Sequence, residues 1–594
     1  MNEASALSTR RPPNQNSRMQ NINPTPSLSS QNFSLVLPVA SLRRFRSVLR
    51  TGTIHEIEKA LRQLWLTIIL VVQELLVEEL KQRDQLLARS PCPGCGRLMH
   101  FNRHETRTFQ FLEGEVSLLR SYLECRPCSI HMHPLDLDLN VPEIGEITPQ
   151  FGHDLSLLGA ELPCKAGARV LQTLTQRRVH PGLIHDQVQR DGEALVALER
   201  EEAEALWPYD SKGNLRDIES LTSLPRLRNP PPPDPEGAIV IEIDGAMVNL
   251  GADPEIKQEF ESFQKKLKEA VDRGESLKGP LPSSFREARQ MRIYRLKDLV
   301  IKKTKKGKER RSLSQSETVT VVNDPVFFEM RVNAVCRAWR VDEYRDRVVL
   351  GDGGSFIWKI AKDLIVPTRE ILDSRHARSH IHDCANALFS GSSDESKQWA
   401  KKWSQHVKEN GPAALQQELQ RLRSQTTWSD EGQRKLDNLV EYVTEHQSRM
   451  HYPTFKEGGL PIASGAIESA NRQVVGDRCK RSGMRWARAS LQRLLSLRAS
   501  LLSGNWESAC QSIRARRCIH PILANEGNGQ PVFPSNLSPH HPDSCPSPPP
   551  PSPLPGPPSQ SRAHTPSKPA PKPLQSNRTL ARLDRSNFVM PENT

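Results

Sequence analysis

Apolar positions along the chain fall into two regimes. A helical period runs from Ser41 to Leu87 through EIEKALRQLWLTIILVVQELLVEELKQRDQLL, with apolar faces punctuated by Glu and Lys. It returns in ELPCKAGARVLQTLTQRRVHPGLIHDQVQR (161–190), where His-Pro-Gly predicts a short break between two helices. Three runs have strand character instead: AIVIEIDGAMV (238–248), TVTVV (318–322) and RVVLG (347–351), rich in β-branched residues, the first and last leading into Asp-Gly. From Trp358 to Met450 the pattern is helical again.

The polar stretches divide these regimes into an expected domain order. Residues 1–40 are rich in Ser, Asn and Pro and read as disordered, and 41–90 form an N-terminal helical region. A cysteine module occupies 91–135, and helices fill 150–224. Residues 225–237, with four consecutive prolines at 230–233, predict a stiff linker. An α/β core follows over 238–390, interrupted by a charged insertion at 252–312 whose KKTKKGKERR (302–311) reads as an exposed arm. A helical insertion at 391–463 and closing helices at 464–506 complete the core, and 519–594 is a Pro/Ser-rich tail that cannot bury enough surface to fold.

Charge narrows the partners. The 594 residues carry 82 Lys+Arg against 69 Asp+Glu, a net charge of +13. That balance favours a polyanion such as DNA. The longest apolar stretch, Leu64 to Leu76, is interrupted by Gln73 and Glu74 and is short for a bilayer, so the expectation is a packed or dimerising helix and no membrane partner. MNEASALSTRRPPNQNS lacks the apolar core of a secretory signal, which leads to the expectation of a cytoplasmic protein with reduced cysteines.

Four of the eleven cysteines form matched pairs, Cys92-Pro-Gly-Cys95 and Cys125-Arg-Pro-Cys128. Each CxxC makes a tight knuckle aiming two thiolates at one tetrahedral Zn²⁺, and the intervening strand–Gly–strand pattern predicts a zinc ribbon. Four sulfur ligands leave no open position, so this zinc is expected to be structural. His131 and His133 lie just beyond and read as solvent-facing. The helix–break–helix at 161–190 fits a helix-turn-helix-like DNA-binding region whose second helix enters a groove, although an ordinary helical hairpin has the same pattern.

Three acids carry the candidate chemistry: Asp244 in IEIDGAMV, Asp352 in VVLGDGGSFIW and Glu468 in GAIESANRQVVGDRCKRSGMRW. Singly, each has a plain explanation, since Asp-Gly makes hairpin turns and a first-turn glutamate suits the helix dipole. Jointly, two aspartates ending strands and a glutamate opening a basic helix are what a two-metal phosphoryl-transfer site needs, and they predict a ribonuclease-H-like catalytic core. Arg472, Arg478, Lys480, Arg481 and Arg485 crowd the third acid and would neutralise DNA phosphates. Trp486 among them reads as core rather than as a base-stacking platform.

These residues resemble a known family. The stretch LPIASGAIESANRQVVGDRCKRSGMRWARASLQRLLSLRASLLSGNW (460–506) is similar to the Gly-Ser-Gly-x-x-Glu block and Lys-Arg-x-Gly-Met-x-Trp continuation of bacterial insertion-sequence transposases of the ISKra group, of the DDE class. VVLGDGGSFIWKIA (348–361), IEIDGAMV and GAELPCKAGARVL (159–171) are similarly close, so the likeness runs from the cysteine module to about Trp506. It implies that Asp244, Asp352 and Glu468 are a catalytic triad holding two Mg²⁺ (or Mn²⁺) ions. On that basis the chain would cleave transposon ends at terminal inverted repeats and join them to target DNA, working as a homo-oligomer. It also implies an Asp-x-x-His pair beside the metals, here Asp373 and His376, with Ser and Arg between them where the family has a bulky aromatic residue. Two rival readings of the same residues are a structure-selective nuclease that cuts without joining, and an inactive zinc-dependent DNA-binding protein.

Overall fold

The computed structural model describes residues 39–141, 145–209, 227–273, 276, 280–303, 309–389, 391, 393–425 and 428–517. The expected disorder up to residue 38, the tail at 519–594 and the tip of the basic arm (304–308) lie outside the described residues. The chain divides into two compact units, one up to Arg83 and one from Asp84 onward.

The first unit contains helix α1 (Val39–Thr51) and most of α2 (Ile54–Leu87). A capping box starts α2: the Thr53 amide donates to Glu56 at 2.7 Å and the Glu56 amide to the Thr53 hydroxyl at 3.4 Å. The apolar stretch expected to be short is part of this 34-residue helix, which is long and apolar enough to cross a membrane by length and composition. Asp84 is its one buried residue.

The second unit opens with the cysteine module, a hairpin of β1 (His100–Gln110) and β2 (Glu115–Cys125) extended by β3 (Ile130–Met132) and followed by α3 (Pro134–Asp138). Three helices come next: α4 (Pro149–Glu161), α5 (Cys164–Thr175) and α6 (Pro181–Ala205). The helix–break–helix layout expected at 161–190 is present. However, α6 runs on for 25 residues, burying Ile184, Val188, Leu195 and Leu198. Its exposed flank mixes charges: Arg190 and Arg200 stand beside Asp186, Glu193, Glu201 and Glu204, and Glu193 and Glu201 are paired with Arg493 and Arg516.

Strand β4 (Ala238–Asn249) begins a five-stranded sheet. After α7 (Pro254–Asp272), β5 (Phe285–Arg295) returns antiparallel along the whole of β4. Residues 252–312 are therefore not only a charged insertion: a core strand lies within them. The hairpin of β6 (Leu299–Lys303) and β7 (Glu309–Leu313) leads into β8 (Glu317–Val322). Helix α8 (Pro325–Ala338) connects to β9 (Asp346–Gly351), and α9 (Ser355–Ile360) with a π turn (Ala361–Ile365) connects to β10 (Arg369–Leu372). The strand order is β10-β9-β4-β5-β8, with β4, β9 and β10 mutually parallel and β5 antiparallel to both neighbours. The chain is thus mixed α/β, with Ile241, Ile243, Val349, Ile371 and Phe328 fully buried in the main core.

The expected helical insertion consists of α11 (Asp394–Asn410), α12 (Ala413–Arg423), α13 (Asp430–His446) and α14 (Tyr452–Glu457), entered through α10 (Ser374–Leu388). The chain then returns through α15 (Gly465–Ala470), a π turn (Asn471–Gly476), α16 (Asp477–Cys479), α17 (Arg488–Leu502) and α18 (Trp506–Arg517). Helix α17 protects the open edge of β8. The Thr318 amide donates to Ser503 Oγ at 2.9 Å, and Gln492 accepts from the Val322 amide at 2.9 Å while donating to Thr320 O at 3.0 Å.

The described part of the Pro-rich linker is a packed strap. Leu227 and Arg228 are buried, and Arg228 donates to Glu317 at 2.7 Å and to Glu202. Arg331 on α8 closes the network onto Glu199 and Glu202 at 2.8 and 3.1 Å, so each buried charge has an opposite partner.

Candidate functional site

Strand register places the aspartates. Ile243 pairs with Gly351, and Gly351 with Leu372, across three adjacent parallel strands. The next residue on each is an aspartate, so Asp244, Asp352 and Asp373 form one row across β4, β9 and β10, with neighbouring strands about 4.8 Å apart. Asp244 accepts hydrogen bonds from the Gly245 amide at 2.7 Å and from Asn471 Nδ2 at 2.6 Å. The Asp352 carboxylate accepts from the Gly354 amide at 2.9 Å, and its carbonyl accepts from Tyr442 OH at 3.0 Å. Between them Gly353 adopts φ +106°, and a Cβ there would meet Tyr442 at 3.0 Å, so the turn needs glycine. Asp373 is fully buried and caps α10 by accepting from the Arg375 amide at 2.9 Å. His376 Nε2 lies 3.9 Å from it.

The third acid arrives on α15, which is fastened to the same row. Ser464, Glu468 and Asn471 are spaced i, i+4, i+7 and share one helix face. Ser464 Oγ donates to Asp373 at 2.6 Å and Asn471 to Asp244, so Glu468 sits between two anchored positions. A third fastening is the Ile467 amide, which donates to Glu242 at 2.8 Å. Immediately after Ala470 the helix widens into its π turn, a feature that recurs at functional sites. The Glu468 carboxylate itself is in close contact with Arg375 Nη1. The oxygens of Asp244, Asp352 and Glu468 do not all come within 4.8 Å of one another. Among the described residues, the four cysteines are the set that does.

Burial raises the proton affinity of two carboxyls on β4. Burial pushes Asp244 up to about 6, aided by the charges of Asp352 and Asp373 and opposed by the Gly245 amide and His376. Glu242, two residues earlier on the same strand face, is pushed up to about 7 by burial, against the hydrogen bonds from Ile467 N and Tyr294 OH. Carboxylate oxygens short of neutralising charge suit a hard divalent cation such as Mg²⁺ or Mn²⁺. On the other flank of α15 a cleft of about 1060 Å³ is lined by Glu242, Arg292, Tyr294, Arg311, Arg375 and Gln473. Arg375, which touches Glu468, belongs to this lining, whereas Asp244, Asp352 and Glu468 do not.

The expected phosphate-binding residues divide. Arg472, Lys480, Arg481 and Arg485 are exposed. Arg478 is not: it is 5% exposed, donates to Gly159 O at 3.2 Å and stacks on Trp486, so its guanidinium is a packing element and cannot reach a phosphate. Trp486 is partly buried against the second core, with its indole N–H donating to Cys479 O at 3.1 Å, in line with a core role. Sequence reasoning missed Glu242, Ser464 and Asn471. Glu242 lies two residues before Asp244 on a strand and hence on the same face, and Asn471 lies one turn after Glu468; these spacings were the available signals.

In the cysteine module, Cys92, Cys95, Cys125 and Cys128 hold their sulfurs within 4.8 Å of one another, with Cys95 and Cys125 3.6 Å apart. Tetrahedral Zn–S bonds of about 2.3 Å require sulfur–sulfur edges of about 3.8 Å, so the group can hold a metal such as zinc. The knuckle is built as expected: the Gly94 amide points at Cys92 Sγ (3.3 Å) and Gly96 takes φ +70°. The Arg97 amide and the neighbouring Cys128 thiol push Cys95 down to about 7, while contact with Cys95 pushes Cys128 up to about 12, so the thiols share their protons unevenly. His131 is exposed, and His133 is tied instead to Ser121 O (3.2 Å) and Glu105 (3.1 Å).

No protein-family model matches the chain, and no curated protein matches it.

Proposed function

We propose that the chain is a DNA transposase of the DDE class, with Asp244, Asp352 and Glu468 as its metal-binding acids on a ribonuclease-H-like core. The observation that carries the reading is the row Asp244–Asp352 on adjacent parallel strands, crossed by a helix that is fastened on both sides of Glu468. Strand order adds support. Numbered by appearance, the sheet runs fifth-fourth-first-second-third with only the second strand antiparallel, the arrangement a ribonuclease-H-like core requires.

The acids would hold two Mg²⁺ or Mn²⁺ ions, which when bound activate the attacking oxygen and stabilise the leaving oxygen of a phosphodiester. The chain's own residues set up that chemistry. Gly245 N and Asn471 orient the Asp244 carboxylate, and the Asp352 turn is held by Gly354 N and Tyr442. Asp373 works through Ser464, fixing the start of the helix that presents Glu468. Arg375 pairs with Glu468 and would have to give up that contact for Glu468 to hold a metal ion. A zinc ribbon built on Cys92, Cys95, Cys125 and Cys128 would act as a structural staple.

The test is a cleavage and strand-transfer assay with Mg²⁺ and duplexes taken from the DNA that flanks the coding region, with any inverted repeats found there. Cleaved and joined products are expected from the wild type, and neither from Asp244→Asn, Asp352→Asn or Glu468→Gln. Cleavage without joining would favour a nuclease. Unchanged cleavage in all three variants would remove the active-site assignment.

A further inference from the structure

Two buried arginines grip carbonyls where the three-helix region meets the acid-bearing helix. Arg478 Nε donates to Gly159 O near the end of α4. Arg498 Nε donates to Val474 O at 2.8 Å, and its two Nη groups donate to Gln473 O and Ala160 O. They are 5% and 7% exposed, and a guanidinium that satisfies several carbonyls at once fixes their relative positions. The junction between α4 and α5 is thereby bolted to the π turn that follows Glu468.

Helix α5 starts at this junction. It buries Gly167, Ala168 and Leu171 and turns Lys165 and Arg169 outward, one turn apart on a single stripe. Among the described residues no acid pairs with either. On the other side of the clamp, Lys480, Arg481 and Arg485 stand exposed on the loop that follows α16, also without an acidic ion-pair partner among the described residues. That loop is pinned where Trp486 N donates to Asn249 O at 3.0 Å, at the end of the strand carrying Asp244. Arg478 interacts electrostatically with Cys164, the neighbour of Lys165, and with Arg481, and Lys480 does so with Asp244, so both groups of cations lie near the clamp and Lys480 lies near the acids.

We propose that α5 and the 480–485 loop form one phosphate-binding track for duplex DNA, leading from Lys165 and Arg169 through Arg481 and Lys480 to the acid face. The track rests on the nucleic-acid reading above and assigns its backbone contacts to α5. Contacts of this kind position the duplex without reading its sequence. The buried clamp gives them a fixed distance from Asp244 and Glu468.

The experiment is the salt dependence of binding of the full chain to a random-sequence duplex, by fluorescence anisotropy in EDTA so that no strand is cut. Each lost phosphate contact lowers the slope of log K against log [salt] by about 0.9. Lys165→Gln with Arg169→Gln is expected to lower it by about 2 and to weaken binding about tenfold at 0.1 M salt, with an unchanged thermal melt. The control, Lys401→Gln with Lys408→Gln on α11, is expected to leave the slope alone. An unchanged slope in the α5 variant, with the wild type binding normally, overturns the track. A wild type that binds no duplex even at low salt overturns the nucleic-acid reading itself.

Discussion

The Ser464 hydroxyl donates a 2.6 Å hydrogen bond to the Asp373 carboxylate, joining the start of the Glu468 helix to the last strand of the parallel trio. Asp373 is fully buried, and its carboxyl accepts this bond and one from the Arg375 amide, with His376 Nε2 3.9 Å away. Ser464→Ala removes a partner from a buried carboxylate and is expected to cost about 1–3 kcal/mol in urea unfolding. Ser464→Thr keeps a donor and should retain most of the stability. If Ala and Thr were equally stable, the bond would have no structural weight.

Arg375 and Glu468 pair at the surface, with side chains 61% and 39% exposed. Such a pair contributes about 0–1 kcal/mol to folding, so Arg375→Ala should leave the melting curve unchanged. Its effect should be electrostatic and local. With the guanidinium gone, Glu468 is freed for a divalent cation, and Mn²⁺ titrated calorimetrically without DNA should bind several-fold more tightly. Equal affinity in wild type and variant would show that Glu468 does not take part in holding the ion.

How far the sequence reached can be read from particular residues. Asp352 was legible because it directly follows a β-branched run that is a buried strand. Asp244 was legible from the run before it, although it does not end the strand as expected, since β4 continues through Asp244-Gly245 to Asn249. The cysteine pairs were legible because their spacing alone forces the knuckles. Strand β5 was hidden by its own arginines. Arg286, Arg292 and Arg295 look solvated in sequence, yet they find Glu259, the Ala466 carbonyl and Asp298 in the fold. Arg478 misled for the same reason, since a basic run does not reveal which guanidinium will turn inward to cap helix carbonyls. Ser464 and Asn471 were invisible as site residues because their partners are far away in sequence, and only register brings them together.

The cysteine cluster predicts a metal content. Protein purified without chelator should carry about one Zn²⁺ per chain by elemental analysis. Cys92→Ser with Cys125→Ser removes the two buried ligands and should abolish it. Because the cluster around the cysteines adds just Met99, Leu123 and Ile130, with Met132 packed against it, loss of metal should expose the cysteine end of the hairpin to protease while the five-stranded sheet stays protected. Full metal retention in the double variant would place the zinc elsewhere.

Glu242 makes a prediction that separates stability from chemistry. Burial raises its carboxyl from the ordinary 4.5 to about 7 in the folded chain. The folded state therefore binds this proton more tightly than the unfolded one, and the stability it contributes is full below pH 4.5 and lost as pH rises through about 7. Glu242→Gln mimics the protonated acid. Its amide oxygen can accept from Ile467 N and its NH₂ can donate to the Tyr294 hydroxyl, which accepts as readily as it donates. The variant should match the wild type in thermal unfolding at pH 4.5 and exceed it by about 3 kcal/mol at pH 8. Asp244, by contrast, must lose its proton to bind a cation, so metal-dependent cleavage should fall as pH drops through about 6 in wild type and Glu242→Gln alike. A variant that shifted this activity limb, and not the stability curve, would make Glu242 a metal ligand in place of an anchor for the Glu468 helix.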